Sequence, residues 1–290
     1  MTTILVTGAT GTVGSALIGE LVAREADVRA FVRDADKAAA VLGAEIEVCV
    51  GDFADSESLT RAMRGVDRVF LACANHPRQV EYEANALDAA KAKEVERVVK
   101  LSALGAEIGS PLDFWDAQGR IEVPLAQSRV AAVLLRPTTY MTGVLAAAAT
   151  IADLGMLFVP AGQARVAMID PRDVAAVAAV ALTTEGHEGS TWTLTGPEAL
   201  TYGDVASRLS TLLGRRVEYV DVPDEQARAG LLQAGMPDWL ASNLVTLFAL
   251  IRQGVMTETT DTVFAVTGRP PRTFDEFAQD ALPAFATRHR

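Results

Sequence analysis

Three glycines after the first apolar run place the strongest constraint on how this chain can fold. Residues 4–6 are apolar strand formers, and Gly8, Gly11 and Gly14 follow with two residues between neighbours. Apolar side chains then recur at helical spacing, beginning with Leu17. A strand, a glycine turn and a helix form the phosphate-binding opening of a doubly wound parallel sheet. We therefore predict a dinucleotide site at this turn.

The glycines of the turn meet different steric demands. Gly8 lets the chain turn sharply, Gly11 lets the backbone approach a pyrophosphate, and Gly14 lets helix and strand pack closely. The helix N-terminus offers unpaired N–H groups and a partial positive charge to the anion. The predicted cofactor contacts at this turn are the three glycines with Thr10, Thr12 and Val13.

Size, charge and cysteine content narrow the class of protein. The chain has 290 residues, of which 50% are hydrophobic, enough for one large α/β domain with or without a small lobe. Its net charge of −11 argues against nucleic acid or an anionic membrane as partner. The two cysteines, Cys49 and Cys73, are too few for a disulfide framework. No spacing of cysteines and histidines typical of a metal site is present in the sequence, so we predict no metal. Because the sequence opens on its first strand, we expect no signal peptide and a cytoplasmic protein.

Strand-like and helical patterns alternate through the first half of the chain. Further strands are predicted at residues 27–33, 45–50, 66–74, 95–101 and 130–135, with helical patterns between them. The predicted fold class is α/β: a Rossmann-like doubly wound parallel sheet with a smaller C-terminal α/β substrate lobe. We assign residues 1–136 and about 165–195 to the NAD(P)-binding domain, and about 137–164 and 196–290 to the lobe.

The end of the second strand bears on the choice between NADP(H) and NAD(H). Arg33 lies 19 positions after Gly14 (33 − 14), where an arginine accommodates a 2′-phosphate and an acidic residue holds a 2′-hydroxyl. We therefore predict NADP(H), with NAD(H) less favoured. The adjacent Asp34 weakens this preference, and Arg33 is also compatible with a solvated strand end.

Other strand ends supply further cofactor candidates. Asp52 could accept a hydrogen bond from the adenine amino group with Phe53 against the ring, or it could cap a turn or helix. Ala72 and Ala74 are small enough for the backbone to lie against ribose and nicotinamide. His76, alone in a proline-containing loop, is more typical of a surface residue than of a catalyst.

Motifs along nearly the whole chain carry a resemblance to a known family. They are Gly8-Ala9-Thr10-Gly11-x-x-Gly14, Val32-Arg33, Gly51-Asp52, residues 65–71, residues 98–102, Ile121-Glu122, Leu135-Arg136-Pro137, and residues 267–274 with Phe277. With these motifs the chain resembles an atypical short-chain dehydrogenase/reductase of the NmrA-like branch. That branch includes quinone reductases, triarylmethane-dye reductases and NADP-sensing regulators.

The resemblance implies a catalytic position at which this sequence departs from the family pattern. Extended relatives carry Tyr-x-x-x-Lys, with a glutamate four residues beyond the lysine. Aligning that glutamate with Glu122 puts Phe114 at the tyrosine position and Gln118 at the lysine position. Phe114 has no proton to donate, and Gln118 is uncharged, although its amide could still bond a ribose. Ser102 fits the family's serine, and equally well a helix or turn cap.

This departure has a chemical consequence. Hydride reduction of a ketone needs a proton donor for the developing alkoxide. Reduction of a quinone, an iminium or a triarylmethyl cation does not need one at the same moment. We therefore predict an NADP(H)-dependent oxidoreductase acting on a flat, electron-poor organic acceptor such as a quinone. The alternative is a catalytically silent protein that senses NADP(H), which the changes at Phe114 and Gln118 would also suit.

The remaining predicted site residues surround the reacting carbon. Tyr140 follows the sixth strand and could donate a proton or, as we favour, line the pocket. The partners expected are a small organic substrate and, less firmly, a second copy of the chain. An apolar stripe in residues 239–251 is expected mainly to pack the small lobe, and a share in the pocket roof or in a dimer contact is less favoured. The predicted catalytic residues are Ser102, Gln118 and Tyr140; the substrate-binding residues are Phe114, Trp115, Thr138, Tyr140 and Met141; Ser102 and Pro137 are also assigned to the cofactor.

Overall fold

The structure is a computed structural model that describes residues 2–43, 45–128 and 130–286. The strands are β1 (Thr3–Val6), β2 (Asp27–Val32), β3 (Glu47–Val50), β4 (Arg68–Leu71), β5 (Arg97–Leu101), β6 (Ala131–Pro137), β7 (Met156–Val159), β8 (Thr191–Leu194) and β9 (Glu218–Asp221). The first helices are α1 (Thr12–Val22), α2 (Ala35–Leu42), α3 (Ser56–Ala62), α4 (Gln79–Ala92), α5 (Asp113–Gln127) and, after a 3-10 helix at Met141–Ala147, α6 (Ala148–Leu154). The later helices are α7 (Pro171–Thr183), α8 (Tyr202–Leu213), α9 (Asp224–Gln233), α10 (Asp238–Arg252), α11 (Thr262–Thr267) and α12 (Phe274–Phe285).

The first of two compact units is built on a parallel sheet. It comprises Met1–Pro137, Pro171–Leu194 and Ala265–Gly268. Its seven strands run in the order β3-β2-β1-β4-β5-β6-β8, and every neighbouring pair is parallel. The strand order reverses between β1 and β4, which is where open α/β sheets bind ligands. The predicted Rossmann-like doubly wound sheet is confirmed.

Burial follows from the position of each strand in this sheet. All four residues of the central strand β4 are buried, whereas the edge strand β3 has none that are fully buried. A strand covered by helices on both faces must be apolar almost throughout. Leu5, Leu71 and Val98 form one core cluster with Leu59 and Met63, while α1 and the alanine-rich α7 pack on each other. Each large aliphatic side chain buried in this way contributes about 1.5–3 kcal/mol.

Two buried arginines bind the end of α7 at the sheet's N-terminal edge. Arg97 Nη1 donates to the carbonyls of Ala181 (2.9 Å) and Thr184 (2.6 Å), and Arg68 Nη1 donates to that of Leu182 (2.7 Å). Both guanidinium groups also pair with Glu185. The last carbonyls of a helix lack intrahelical partners and carry partial negative charge, so the arginines satisfy both needs.

We expect Arg97→Ala to lower the free energy of unfolding by about 2–4 kcal/mol, because buried carbonyl partners and packing volume are lost together. Urea denaturation followed by circular dichroism measures this. Arg61→Ala is the control, since Arg61 is exposed and lies 3.9 Å from Asp55, a kind of ion pair that adds little stability. Equal stability of the two variants would contradict the role given to Arg97.

The second unit comprises Thr138–Asp170, Thr195–Phe264 and Arg269–Arg290. Its strands β7 and β9 pair in parallel, and capping boxes at Thr201 and Thr273 start α8 and α12. Along β7, Leu157 and Val159 are buried whereas Met156 and Phe158 are exposed. Roles for the two units in binding cofactor and substrate remain predictions.

In two places the second unit differs from the sequence prediction. The sequence of residues 144–154 predicts one helix, but the structure divides this segment between the 3-10 helix and α6, and α6 ends at Gly155 with φ +68°. The predicted apolar stripe of α10 is only partly covered, with Ala241 and Ile251 buried and its other large apolar residues half-buried. Among the described residues, no helix combines the length and hydropathy needed to cross a membrane.

Candidate functional site

The glycine turn lies at the point where the strand order of the sheet reverses. Gly8 follows β1 with φ +61°, and Gly11 N donates to Gly8 O at 2.9 Å. A Cβ on Gly8 would lie 2.9 Å from Ala72 O, and a Cβ on Gly14 would lie 2.2 Å from Gly8 O. Backbone occupies the space that side chains would need, so the turn requires glycine at both positions.

Gly11 is the N-cap of α1 and has no side chain with which to cap it. The N–H groups of the first helical turn, at Thr12 and Val13, have no intrahelical acceptor and lie at the positive end of the helix. Thr12 is exposed, Val13 is buried and Thr10 is half-buried. This cradle fits the pyrophosphate of a dinucleotide, whose oxygens would accept from these N–H groups.

Thr7 is a structural partner of this turn that the sequence pattern does not predict. Its Oγ1 donates to Phe70 O (3.0 Å) and Ala72 O (3.1 Å), and accepts from Ala72 N (2.9 Å). Thr7 thus joins the residue after β1 to the end of β4. A threonine beside an apolar strand is typical of a strand former, so only the threonine's position just before the first glycine could have indicated this role.

The structure separates the roles of Arg33 and Asp34. Asp34 Oδ1 accepts from the backbone N–H groups of Asp36 and Lys37, both at 3.0 Å, and thereby caps α2. Arg33 is exposed, and no hydrogen bond or ion pair joins its side chain to another described residue. The acidic side chain is therefore engaged by the helix, whereas the guanidinium is available to an anion such as a 2′-phosphate.

The loop after β3 is folded mainly by its own contacts. Asp52 Oδ1 accepts from Ala54 N at 2.8 Å, and the cap of α3 is Asp55. The Phe53 ring packs edge-on against the Phe31 ring, with ring centres 5.7 Å apart. The backbone carbonyl of Phe53 accepts from Asn85 Nδ2 at 2.9 Å. Asp52 thus has the turn contact considered as the alternative, and its adenine contact remains a prediction.

The loop after β4 places small residues opposite the glycine turn. Ala72 is half-buried and Ala74 is exposed, and between them lies Cys73. Burial, reinforced by the nearby Glu83 carboxylate, raises the pKa of the Cys73 thiol to about 12. The thiol is therefore protonated at neutral pH and is a poor nucleophile. His76 is exposed and stacks on Tyr82 with ring centres 5.0 Å apart.

A hydrogen-bonded network lies at the ends of β5 and β6. Ser102 Oγ donates to Glu122 Oε1 at 2.5 Å, and Arg136 Nε donates to the same oxygen at 3.0 Å. A second Arg136 N–H group contacts Glu122 Oε2. The hydrogen bond to Glu122 raises the pKa of the Arg136 guanidinium, which therefore stays charged. The Ser102 hydroxyl hydrogen is committed to a carboxylate, leaving its oxygen able to accept from a ligand. The sequence marks Glu122 only as the residue that aligns with the family's glutamate, and does not predict its contacts with Ser102 and Arg136.

Phe114, Gln118 and Glu122 occupy one face of α5 because they are four residues apart. Phe114 is half-buried, while Gln118 is only 7% exposed. Gln118 Oε1 is buried and has no hydrogen-bond partner among the described residues. An unsatisfied buried acceptor is costly, and a ligand hydroxyl would satisfy it. This face therefore holds one polar atom suited to a ribose, but no proton-donating side chain at position 114.

Trp115 is packed against the chain that precedes α5. It is 7% exposed, and a Cβ on Gly105 would lie 2.1 Å from its indole ring. The Trp115 carbonyl accepts from Glu107 N at 3.2 Å. These contacts give Trp115 a structural role in holding residues 105–107, and its contact with a substrate stays a prediction.

The other predicted residues lie at and beyond the end of β6. Pro137, its last residue, accepts from Leu104 N at 3.0 Å. Within the second unit, Thr138 Oγ1 donates to Ala167 O at 2.7 Å, and Met141, 2% exposed, donates its N–H to Ile169 O at 2.9 Å. Tyr140 is half-buried, and burial raises the pKa of its phenol. A raised pKa makes Tyr140 a weaker acid, which favours the lining role.

No group of three or more His, Cys, Asp or Glu side chains within the described residues could hold a metal ion. The described residues offer anion binding at α1 and a guanidinium at Arg33 near the switch point, and the Ser102–Glu122–Arg136 network at the ends of β5 and β6.

Comparison with known proteins gives consistent matches over nearly the full length. The NmrA-like family matches residues 1–278. An NAD(P)H azoreductase of Xenophilus azovorans is 38% identical over 282 residues, covering 97% of this chain and 99% of the relative. A (4-alkanoyl-5-oxo-2,5-dihydrofuran-3-yl)methyl phosphate reductase of Streptomyces griseus is 38% identical over 284 residues, covering 98% and 99%. The crystal structure of an NADPH-dependent quinone oxidoreductase of Escherichia coli, complexed with NADPH, superposes with a TM-score of 0.88 at 30% identity, covering 96% and 99%.

Proposed function

The chain belongs to the NmrA-like family, and on that premise we propose that it is an NADP(H)-dependent oxidoreductase that reduces a flat, electron-poor organic acceptor such as a quinone. The cofactor supplies the hydride, and the protein must bind it, orient the acceptor and exclude competing reactions.

The arrangement at the glycine turn carries this proposal. Gly8 and Gly14 leave no room for side chains, Gly11 leaves α1 without a side-chain cap, and Arg33 has no partner among the described residues. Together they offer N–H groups to a pyrophosphate and a guanidinium to a 2′-phosphate. The commitment of Asp34 to α2 removes the carboxylate that would favour a 2′-hydroxyl.

The acceptor class follows from the α5 face. Phe114 cannot give a proton and Gln118 is uncharged, so neither can act as the tyrosine–lysine pair of ketone reductases. A quinone becomes a delocalised anion on accepting hydride, and that anion can take a proton from water afterwards. In this proposal Ser102 and the orphaned Gln118 oxygen orient the ligands by accepting hydrogen bonds.

Turnover is favoured over silent sensing of NADP(H). The relatives described above are named as reductases or as an oxidoreductase. The changes at Phe114 and Gln118, which had suited a sensor, are equally compatible with an acceptor that needs no concerted proton.

Three finer statements belong to the same proposal. We assign the cofactor to the first unit and the substrate lobe to the second. Cytoplasmic location is supported by Cys49 and Cys73, which are both free thiols, as a reducing compartment would keep them. Homodimer formation is proposed through the half-buried apolar residues of α10.

The proposed cofactor preference is tested by thermal denaturation with NADPH or NADH at equal concentration. NADPH should raise the melting temperature more, because a ligand that binds the native state stabilises it. Arg33→Ala should erase most of the difference, equivalent to an affinity loss of about tenfold for one charge-assisted contact.

Asp34→Asn is the matched control for this measurement. Asparagine retains a side-chain oxygen that can cap α2, so both the fold and the preference for NADPH should persist. Equal shifts with NADPH and NADH in the unmodified protein would contradict the role given to Arg33.

A further inference from the structure

A fully buried ion pair joins β5 to α4 in the first unit. Lys100 Nζ lies 2.8 Å from Glu83 Oε2, and neither side chain is exposed to solvent. Gln79 Nε2 donates to Glu83 Oε1 at 2.9 Å, and Lys100 Nζ also contacts Leu101 O. By contrast, the pairs of Arg97 with Glu188 and of Arg136 with Glu122 each leave at least one partner partly exposed.

The pair lies beside the loops that we assign to the cofactor. Lys100 is two residues before Ser102, and it is in register with Leu71, the last residue of β4. Gln79 and Glu83 lie in the first turns of α4, immediately after the loop at residues 72–78. Two residues beyond Glu83, Asn85 holds the carbonyl of Phe53 in the loop after β3. One helix therefore braces both loops.

The thiol of Cys73 provides a second indication of this proximity. Burial and the Glu83 carboxylate raise the pKa of this thiol, whereas Lys100 and Arg33 lower it. Cys73 therefore lies within electrostatic reach of the buried pair and of the guanidinium assigned to the 2′-phosphate.

Packing alone does not explain why this buried contact between β5 and α4 is made by two charged side chains. Two charges taken out of water pay a large desolvation penalty, and an apolar pair of similar volume often gives equal or better stability. Neither Glu83 nor Lys100 takes part in the proposed chemistry. A directional contact fixes geometry that an apolar contact leaves looser, which is of use where a loop must present its backbone to a ligand.

We propose that Glu83 and Lys100 are positioning residues for the cofactor: their contact fixes the start of α4 against the end of β5, and so sets the backbone of residues 72–78 against which NADP(H) would lie. This inference rests on the proposed function. It predicts that the pair acts on the affinity for NADPH and far less on the reduction of a bound acceptor.

The double variant Glu83→Met with Lys100→Met tests this, because it removes both charges and nearly keeps the volume. Steady-state kinetics with NADPH and menadione should show KM for NADPH raised about tenfold with kcat within about twofold, as for a modest displacement of binding groups. Urea denaturation should show stability close to that of the unmodified protein. An unchanged KM for NADPH in the folded double variant would overturn the proposal.

Two further variants keep the result interpretable. Arg97→Met removes a buried cation from the other end of β5 and should lower stability without changing KM for NADPH. An equal rise in KM there would mean that loss of stability alone causes the effect. Glu83→Gln retains the shape and the contact with Gln79, and carries the same test if the double variant does not fold. Absence of turnover by the unmodified protein would count against the proposed function, and NADP⁺ affinity by calorimetry would then test the pair directly.

Discussion

Gly11→Val should fold normally and lose the stabilisation of the protein by NADPH. Gly11 has φ −83° and ψ 172°, which valine also adopts, and it is exposed. A Cβ at this position would lie 3.1 Å from Gly8 O, so the turn must shift by a few tenths of an ångström to admit it. We expect the exposed turn to make this small shift, whereas the branched side chain occupies the space through which a pyrophosphate approaches the first turn of α1.

The measurement is thermal denaturation with and without NADPH, with circular dichroism to establish the fold. At about 100 times its Kd, NADPH should stabilise the unmodified protein by about 2.7 kcal/mol, and Gly11→Val should lose nearly all of this. A valine variant that binds NADPH normally would show that the cofactor lies elsewhere.

Two other glycines of α1 serve as opposite controls. Gly19 has nothing within 4 Å of an added Cβ, so Gly19→Ala should keep NADPH binding and gain up to about 1 kcal/mol of stability. A Cβ added to Gly14 would lie 2.2 Å from Gly8 O, so Gly14→Ala should lower stability even without cofactor. The three variants thus distinguish space that the cofactor needs from space that the fold itself needs.

The sheet could be predicted because strands covered on both faces have to be apolar. The strand boundaries were predicted less accurately. The fourth strand was predicted to run to residue 74, where the apolar pattern ends, whereas β4 ends at Leu71. Residues 72–74 leave the sheet opposite the glycine turn, where Ala72 bonds to Thr7. Apolarity alone cannot separate a strand from a loop of small residues beside a ligand site.

The second unit was harder to predict, since short helices and strands there follow no simple alternation. No helical pattern was assigned to α11 or α12, although the start of α12 carries a capping signal in Thr273 and Glu276. The division at residue 147 between the 3-10 helix and α6 has no evident sequence signal.

Within the candidate site, local relations could be predicted and distant ones could not. Helical spacing places Phe114, Gln118 and Glu122 on one face of α5, and an aspartate before a helix predicts the cap made by Asp34. The contact of Ser102 with Glu122 joins residues 20 positions apart through the fold, and it depends on where α5 lies on the sheet. Such contacts require the structure.

The unmodified protein should reduce quinones far faster than simple ketones of matched shape. Position 114 has no proton to donate, and the orphaned oxygen of Gln118 can only accept. General acid catalysis is typically worth about 10²–10⁴-fold, and a ketone forfeits it here whereas a quinone does not. Single-turnover oxidation of NADPH with naphthoquinone and with tetralone measures the ratio on one bicyclic skeleton.

Restoring the missing pair tests the cause of that ratio. Phe114→Tyr with Gln118→Lys should raise the rate with tetralone and change the rate with naphthoquinone little, because a lysine lowers the pKa of a nearby tyrosine and only the ketone needs its proton. Phe114→Tyr alone is the control and should recover less, since it lacks the cation.

The competing donor is Tyr140, whose pKa is raised by burial, so its phenol gives up a proton reluctantly. Tyr140→Phe should therefore leave quinone reduction nearly unchanged. Efficient ketone reduction by the unmodified protein, lost in Tyr140→Phe, would identify Tyr140 as the acid and refute the acceptor preference argued from α5.

Tight NADP⁺ binding without turnover of any quinone, azo dye or ketone would instead identify a sensor, because the cofactor site would be intact while no acceptor is reduced.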